Sequence, residues 1–206
     1  SAASDVYKRQ GFDTHALSVP AWQSALEVLV ANGVTVFTAE DDTYTPTPAI
    51  SHAILTFNAA NPGVESDGIV VTPSHNPPRD GGFKYDPPSG GPADTTTTTW
   101  IANRANDLLA AKLDGVARVP FDKARHDDLV HNYSFVMNYT DGLASVVDME
   151  AIRNAGIRIG ADPLGGASVG YWAAIGFRYN LDKLTVVNPT VDPTFSFMTC
   201  LLYTSP

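Results

Sequence analysis

A single cysteine, Cys200, removes disulfide frameworks and Cys-X-X-Cys metal sites from consideration, because neither can be drawn from one thiol. A reducing, cytoplasmic compartment is the expectation that this permits. Long apolar runs are also missing. No stretch approaches the roughly 18 apolar residues needed to cross a bilayer, and the first residues lack the charged and apolar regions of a secretory signal. No membrane partner is expected. Basic residues are scarce, 13 Lys and Arg against 22 Asp and Glu, for a formal net charge of −9. Such a surface repels phosphate-rich polymers, so no nucleic acid partner is expected and any phosphorylated ligand has to be held by local groups. What remains is a chain of 206 residues, 44% hydrophobic and 17% charged, with enough apolar material for one or two packed domains.

The hydrophobic pattern alternates between helix and strand periods. Ser18 reads as an N-cap and Pro20 suits a first turn, followed by Trp22, Ala25, Leu26, Leu29 and Val30 at helical spacing until Asn32-Gly33. Val34 to Thr38 is a short β-branched and aromatic run, after which Ile50, Ile54 and Phe57 again repeat at helical spacing. Gly68 to Thr72 is a compact apolar strand that enters a loop rich in proline and glycine, Pro73 to Pro92. The threonine run Thr95 to Thr99 leads into Trp100, Ile101, Ala105, Leu108 and Leu109, a helix with Asp94 or Thr95 as its cap. Phe121 to Gly156 reads as mostly helical. A βαβ unit then follows, with strands at Ile157 to Ala161 and Leu184 to Val187 and a helix through Tyr171 and Trp172 between them.

Thr72-Pro73-Ser74-His75-Asn76-Pro77-Pro78 places a hydroxyl, an imidazole and an amide directly after a buried strand. Pro73 biases Thr72 away from the helical region and Pro77 does the same to Asn76, so the side chains between them lose little further entropy on ordering. Gly81-Gly82 permits close backbone approach, and Lys84 can return one cation toward Ser74. Composition alone favours a proline-punctuated surface turn over a ligand loop. The decision rests on resemblance. Thr72 to Pro78, followed by Asp80-Gly81-Gly82-Phe83-Lys84-Tyr85, resembles the phosphoserine loop of the α-D-phosphohexomutase superfamily. Pro87 to Asp94, Asp13-Thr14-His15-Ala16-Leu17-Ser18 and Asp162-Pro163-Leu164-Gly165-Gly166 are similar to the bacterial phosphoglucomutases within it.

The resemblance implies an α/β fold, with an αβα sandwich on a mixed sheet followed by the start of a second, similar αβα domain. It implies exchange of a phosphoryl group between Ser74 and a hexose phosphate through a bisphosphate intermediate, interconverting glucose 1-phosphate and glucose 6-phosphate. Ser74, Lys84 and His75 are then the candidate catalytic residues, and Asn76 and Lys84 the candidate substrate-binding residues. Mg²⁺ is held through the phosphate of Ser74, and glucose 1,6-bisphosphate serves as activator. His15 is equally well explained by helix capping and packing. A mannose or glucosamine phosphate remains an alternative substrate, and a non-catalytic phosphate-binding α/β module an alternative role.

Ser1 to Gln10 show no apolar period and Cys200 to Pro206 leave a pattern unfinished. Both resemble translated sequencing-adaptor sequence. The expected division is a non-native tail at 1–10, a first domain at 11–143 lacking its first strand and loop, the start of a second domain at 144–199, and a non-native tail at 200–206. The family's Thr-Ser-Gly loop, Asp-rich Mg²⁺ loop and sugar-reading loops are not found, so the chain alone is expected to be inactive.

Overall fold

The computed structural model describes residues 6–197. The expectation for residues 200–206 lies outside them. Seven strands and seven α-helices are described, in the order β1 (Val6–Phe12), α1 (Ser18–Ala31), β2 (Thr35–Ala39), α2 (Thr47–Ala60), β3 (Glu65–Val71), β4 (Phe83–Asp86), α3 (Thr95–Ala110), α4 (Phe121–Arg125), β5 (Val130–Tyr133), α5 (Phe135–Gly142), α6 (Met149–Ala155), β6 (Ile159–Ala161), α7 (Val169–Tyr179) and β7 (Leu184–Val186). The main sheet has the order β4-β3-β1-β2-β5 and is parallel except for β4. A second, two-stranded parallel sheet pairs β6 with β7 across α7, the expected βαβ unit.

The run Ile69-Val70-Val71 is apolar without alternation because both faces of β3 are covered. Ile69 and Val71 pack with Trp22, Leu26 and Val30 of α1, whereas Val70 packs with Ala49, Ile50, Ala53 and Ile54 of α2. Gly68 makes the second contact possible, since a Cβ there would lie 2.8 Å from both Ile50 and Ile54. Each large core side chain removed from water contributes about 1.5–3 kcal/mol. The α2 core also takes in Phe135 of α5 and Tyr171 and Ile175 of α7, so it runs continuously from the main sheet to the second one.

Several local expectations are corrected. Val6 to Gln10, assigned to a tail, form the first five residues of the central strand β1, because backbone ladders on both sides accept any residue but proline. The polar sequence then has to be buried: Arg9 and Gln10 are 1% and 0% exposed. The Arg9 guanidinium lies 4.0 Å from the Phe37 ring centroid and 4.6 Å from those of Phe57 and Tyr133, with one Nη left unpaired. The long loop after β3 contains β4, which pairs antiparallel with β3 through Val70 and Lys84. The helical reading of 121–156 is interrupted by β5, a parallel edge strand on β2. Helix α3 forms as expected, capped by Asp94, which accepts the Thr97 N–H at 2.7 Å. Its apolar side is not covered: Trp100 and Leu109 remain 69% and 62% exposed.

Candidate active site

The chain leaves β1 for β2 on one side and returns to place β3 on the other, with α1 and α2 packed on opposite faces. The crevice beyond the carboxyl ends of β1 and β3 is therefore the topological switch point of the sheet, where open α/β folds bind ligands. Asp13-Thr14-His15 follows β1 and Thr72 to Asn76 follows β3, so both segments noted in the sequence arrive at this point together. The ladder extends one step beyond β1, the Asp13 N–H donating to the Val71 carbonyl at 3.0 Å.

Ser74 is exposed and sits in the left-handed region, φ 62°, which costs a residue with a Cβ about 1–3 kcal/mol unless its surroundings enforce it. Three contacts do so. The Ser74 N–H donates to Thr72 Oγ1 at 2.9 Å, the Thr72 N–H donates to the Gly82 carbonyl at 3.0 Å, and the Asn76 N–H donates to the Pro73 carbonyl at 3.3 Å. Gly82 allows this approach, because a Cβ there would stand 2.1 Å from the Thr72 oxygen. Two residues further on, Lys84 Nζ donates to Ser74 Oγ at 2.5 Å. The hydroxyl thus faces a cation able to offset a developing negative charge on it.

Beneath the loop lies Asp13, 8% exposed. Its Oδ1 accepts from the His15 N–H at 3.0 Å and the Ser18 hydroxyl at 2.5 Å; its Oδ2 accepts from Thr72 Oγ1 at 2.6 Å and His15 Nδ1 at 2.8 Å. The carboxylate's lone pairs are fully used. Ser18, read from sequence as an N-cap, gives its hydroxyl to this network and lies inside α1. The opposite edge of the His15 ring meets the Asn76 carbonyl at 3.0 Å. Both neighbours of the ring are oxygen acceptors, so the imidazole bridges the Asp13 carboxylate and the Asn76 carbonyl.

A cavity of about 310 Å³ opens here, lined on one side by Asp13, His15, Ser74 and His75 and on the other by Leu164 and Gly166. The second wall is the Asp162 to Gly166 turn after β6. It is tied to the first by Thr14, whose hydroxyl donates to the Gly165 carbonyl at 2.6 Å, and by Phe195, whose ring centroid lies 4.7 Å from that of His15.

Of the residues singled out in the sequence, the structure brings Ser74 and Lys84 into contact. His75 and Asn76 both line the same cavity, and Asn76 contributes its backbone carbonyl to His15. Asp13, Thr14 and Thr72 belong to the site although the sequence offers them no role there, and His15, which capping and packing explain equally well from sequence, joins them. The one signal for them was that a polar Asp-Thr-His run directly follows a strand. Among the described residues, Asp13 is the only carboxylate lining the cavity, and no group of three or more His, Cys, Asp or Glu able to hold a metal occurs. A phosphate on Ser74 would be a single ligand there, so the residues present do not fit a Mg²⁺ site by themselves. No helix among the described residues is long and apolar enough to cross a membrane.

Residues 10–111 match the family model for phosphoglucomutase/phosphomannomutase, alpha/beta/alpha domain I. The chain is 54% identical over 189 residues to a phosphoglucomutase of Komagataeibacter xylinus, which covers 92% of the chain and 34% of that protein. It is 30% identical over 107 residues to a phosphoglucosamine mutase of Prochlorococcus marinus, covering 52% of the chain and 20% of the relative. The chain thus spans about a third or less of the length of these relatives. Among solved structures, the Paramecium exocytosis-sensitive phosphoprotein pp63/parafusin, a phosphoglucomutase in its open form, superposes with a TM-score of 0.70 at 20% identity over 94% of the chain and 38% of that structure, a likeness of fold.

Proposed function

The chain belongs to the phosphoglucomutase/phosphomannomutase family, and from that premise we propose that Ser74 carries the phosphoryl group in the interconversion of glucose 1-phosphate and glucose 6-phosphate. The observation that carries the proposal is the exposed Ser74 hydroxyl, held in the left-handed region at the mouth of the switch-point cavity with Lys84 on its oxygen. Glucose is favoured over mannose and glucosamine because the 54% identity is to a phosphoglucomutase, whereas the phosphoglucosamine mutase stands at 30%.

In the proposed reaction a hexose bisphosphate gives one phosphoryl group to Ser74 Oγ. The phosphorus–oxygen bond to the sugar breaks, the bond to Oγ forms, and the serine proton leaves to the departing sugar oxygen. The reverse step phosphorylates the other end of a reoriented monophosphate. Phosphoryl transfer asks the protein for alignment and charge compensation more than for covalent help. Lys84 supplies the charge, and its contact with Oγ lets it take part in moving the proton. His75 and Asn76, on the lip of the cavity, are assigned to the sugar phosphate. Glucose 1,6-bisphosphate belongs to this reading as the exchanging species. Mg²⁺ belongs to it as the family's ion, with the Ser74 phosphate as a ligand, although no step here is routed through it. A cytoplasmic location, without nucleic acid or membrane partners, is part of the same reading. The 206 residues alone are expected to show no turnover, since the described residues offer the ion no carboxylate set.

The test is a chimera in which residues 11–197 replace the matching third of the Komagataeibacter phosphoglucomutase. Coupled mutase activity that disappears with Ser74→Ala, and a phosphoryl group found by mass spectrometry on Ser74 of the unsubstituted chimera, are expected. Normal turnover after Ser74→Ala would refute the proposal.

A further inference from the structure

We propose that Asp13 is a positioning residue for Ser74, acting through Thr72 on one side of the loop and through His15 on the other; the kinetic part of this rests on Ser74 being the phosphoryl carrier. Asp13 Oδ2 receives the Thr72 hydroxyl proton at 2.6 Å, which leaves the lone pairs of Thr72 Oγ1 facing the Ser74 N–H at 2.9 Å. The same oxygen receives His15 Nδ1 at 2.8 Å, and the far nitrogen of that ring reaches the Asn76 carbonyl at 3.0 Å. A single carboxylate oxygen therefore holds the residue two before Ser74 and, through one ring, the residue two after it.

The direction of each bond is fixed by chemistry. A carboxylate only accepts, so Thr72 has to donate to it, and the Thr72 hydroxyl is then oriented as an acceptor for the Ser74 amide. Asp13 thereby determines the peptide orientation that puts Ser74 at φ 62°. An asparagine of the same shape could no longer accept the Thr72 hydroxyl proton where its amide nitrogen faces Thr72, and would set two donors against each other where that nitrogen faces the His15 N–H. The carboxylate also stands on rigid ground. It follows the central strand, its N–H continues the β1–β3 ladder, and it is buried. Ser74 itself lies on an exposed turn, where its own N–H has Thr72 Oγ1 as partner.

Misplacement of a reacting group by about 1 Å costs on the order of 100-fold in rate. Asp13→Asn and Thr72→Val are accordingly expected to lower kcat about 10- to 100-fold in the active chimera, with KM within about twofold, because neither side chain needs to touch the sugar. Thr72→Ser, which keeps the hydroxyl, should restore kcat to within about threefold. The second readout uses the 206-residue chain and needs no activity. By amide hydrogen exchange, Ser74 N–H should be protected in the unsubstituted chain and in Thr72→Ser, and should exchange at least about tenfold faster in Thr72→Val and Asp13→Asn.

Should Asp13→Asn fail to fold, the pair Thr72→Val and Thr72→Ser carries the comparison alone. Unchanged Ser74 exchange in Thr72→Val, or full kcat in Thr72→Val beside an inactive Ser74→Ala, would overturn the inference and leave the proposed function standing. Activity retained in Ser74→Ala would remove the proposed function, and the exchange experiment would still decide whether Asp13 holds the loop.

Discussion

Replacing Gly82 with alanine adds one methyl group at the tightest backbone crossing near the site. The new Cβ would lie 2.1 Å from the Thr72 carbonyl oxygen, 2.5 Å from its carbon and 2.7 Å from Pro73 Cα. Ordinary contact begins at 3.4 Å, so the strands have to part by about 1.3 Å. No flexible side chain is available to yield, since all three neighbours are main chain. Overpacking in a core costs about 1–3 kcal/mol, and the rigidity on both sides places this case near about 3 kcal/mol. For a domain of this size the melting temperature should fall by about 6–12 °C. The separation also breaks the Thr72 N–H bond to Gly82 and draws β4 away from β3, carrying Lys84 off Ser74 Oγ. If Ser74 carries the phosphoryl group as proposed, its phosphorylation in the active chimera should fall by at least about tenfold. Gly81→Ala is the control, because its Cβ would meet nothing closer than Leu17 at 3.8 Å. Thermal melts followed by circular dichroism, and mass spectrometry of Ser74, provide the measurements. A Gly82→Ala protein that melts within about 1 °C of Gly81→Ala would refute the steric argument.

Three other perturbations have defined outcomes. Ser74→Gly removes the Cβ from a left-handed residue and should raise stability by about 1 kcal/mol, whereas Ser74→Ala keeps the strain; equal melting temperatures for the two variants would contradict this. Burial lowers the Arg9 pKa to about 10 and leaves one guanidinium nitrogen unpaired, so Arg9→Met, which keeps contact with Phe37 and Phe57, should gain about 1–3 kcal/mol in urea unfolding, and a loss would argue against it. Burial also raises Asp86 to about 6 against Lys84, which pulls it down. The stability held by neutral Asp86 is complete below 3.8 and is lost as pH rises through about 6, a change of roughly 2–3 kcal/mol. Asp86→Asn should therefore stabilise the protein at pH 7.5 but not at pH 4, and a pH-independent difference in melting temperature would exclude this.

What the sequence disclosed depended on how local the cause was. Helix α1, helix α2 and the end of β3 followed from spacing because their apolar residues face a core directly. The Asp94 cap followed from its position before a threonine run. Helix α3 was equally legible as a helix, but its period does not reveal that Trp100 and Leu109 lie exposed. The strands β1 and β5 are not legible because Lys8-Arg9-Gln10 and His131-Asn132 carry no strand pattern, and their neighbours in the sheet recruit them; Phe83-Lys84-Tyr85-Asp86 of β4 does alternate, but over only four residues inside a loop punctuated by proline and glycine. Ser74 and Lys84 lie within one short motif, and their juxtaposition could be anticipated. The bond from Thr72 to Asp13 spans 59 residues, and the one from Thr14 to Gly165 spans 151. No local periodicity encodes either one.

The two jaws of the cavity grow from a single root. Ile50 and Ile54, which support the serine side, pack in one continuous core with Tyr171 and Ile175, which carry the glycine turn. A bridge at the lip, Thr14 to Gly165, braces them a second time. The gape between the jaws is thus set by interlocked side chains, and whatever is held there meets walls whose spacing the core dictates.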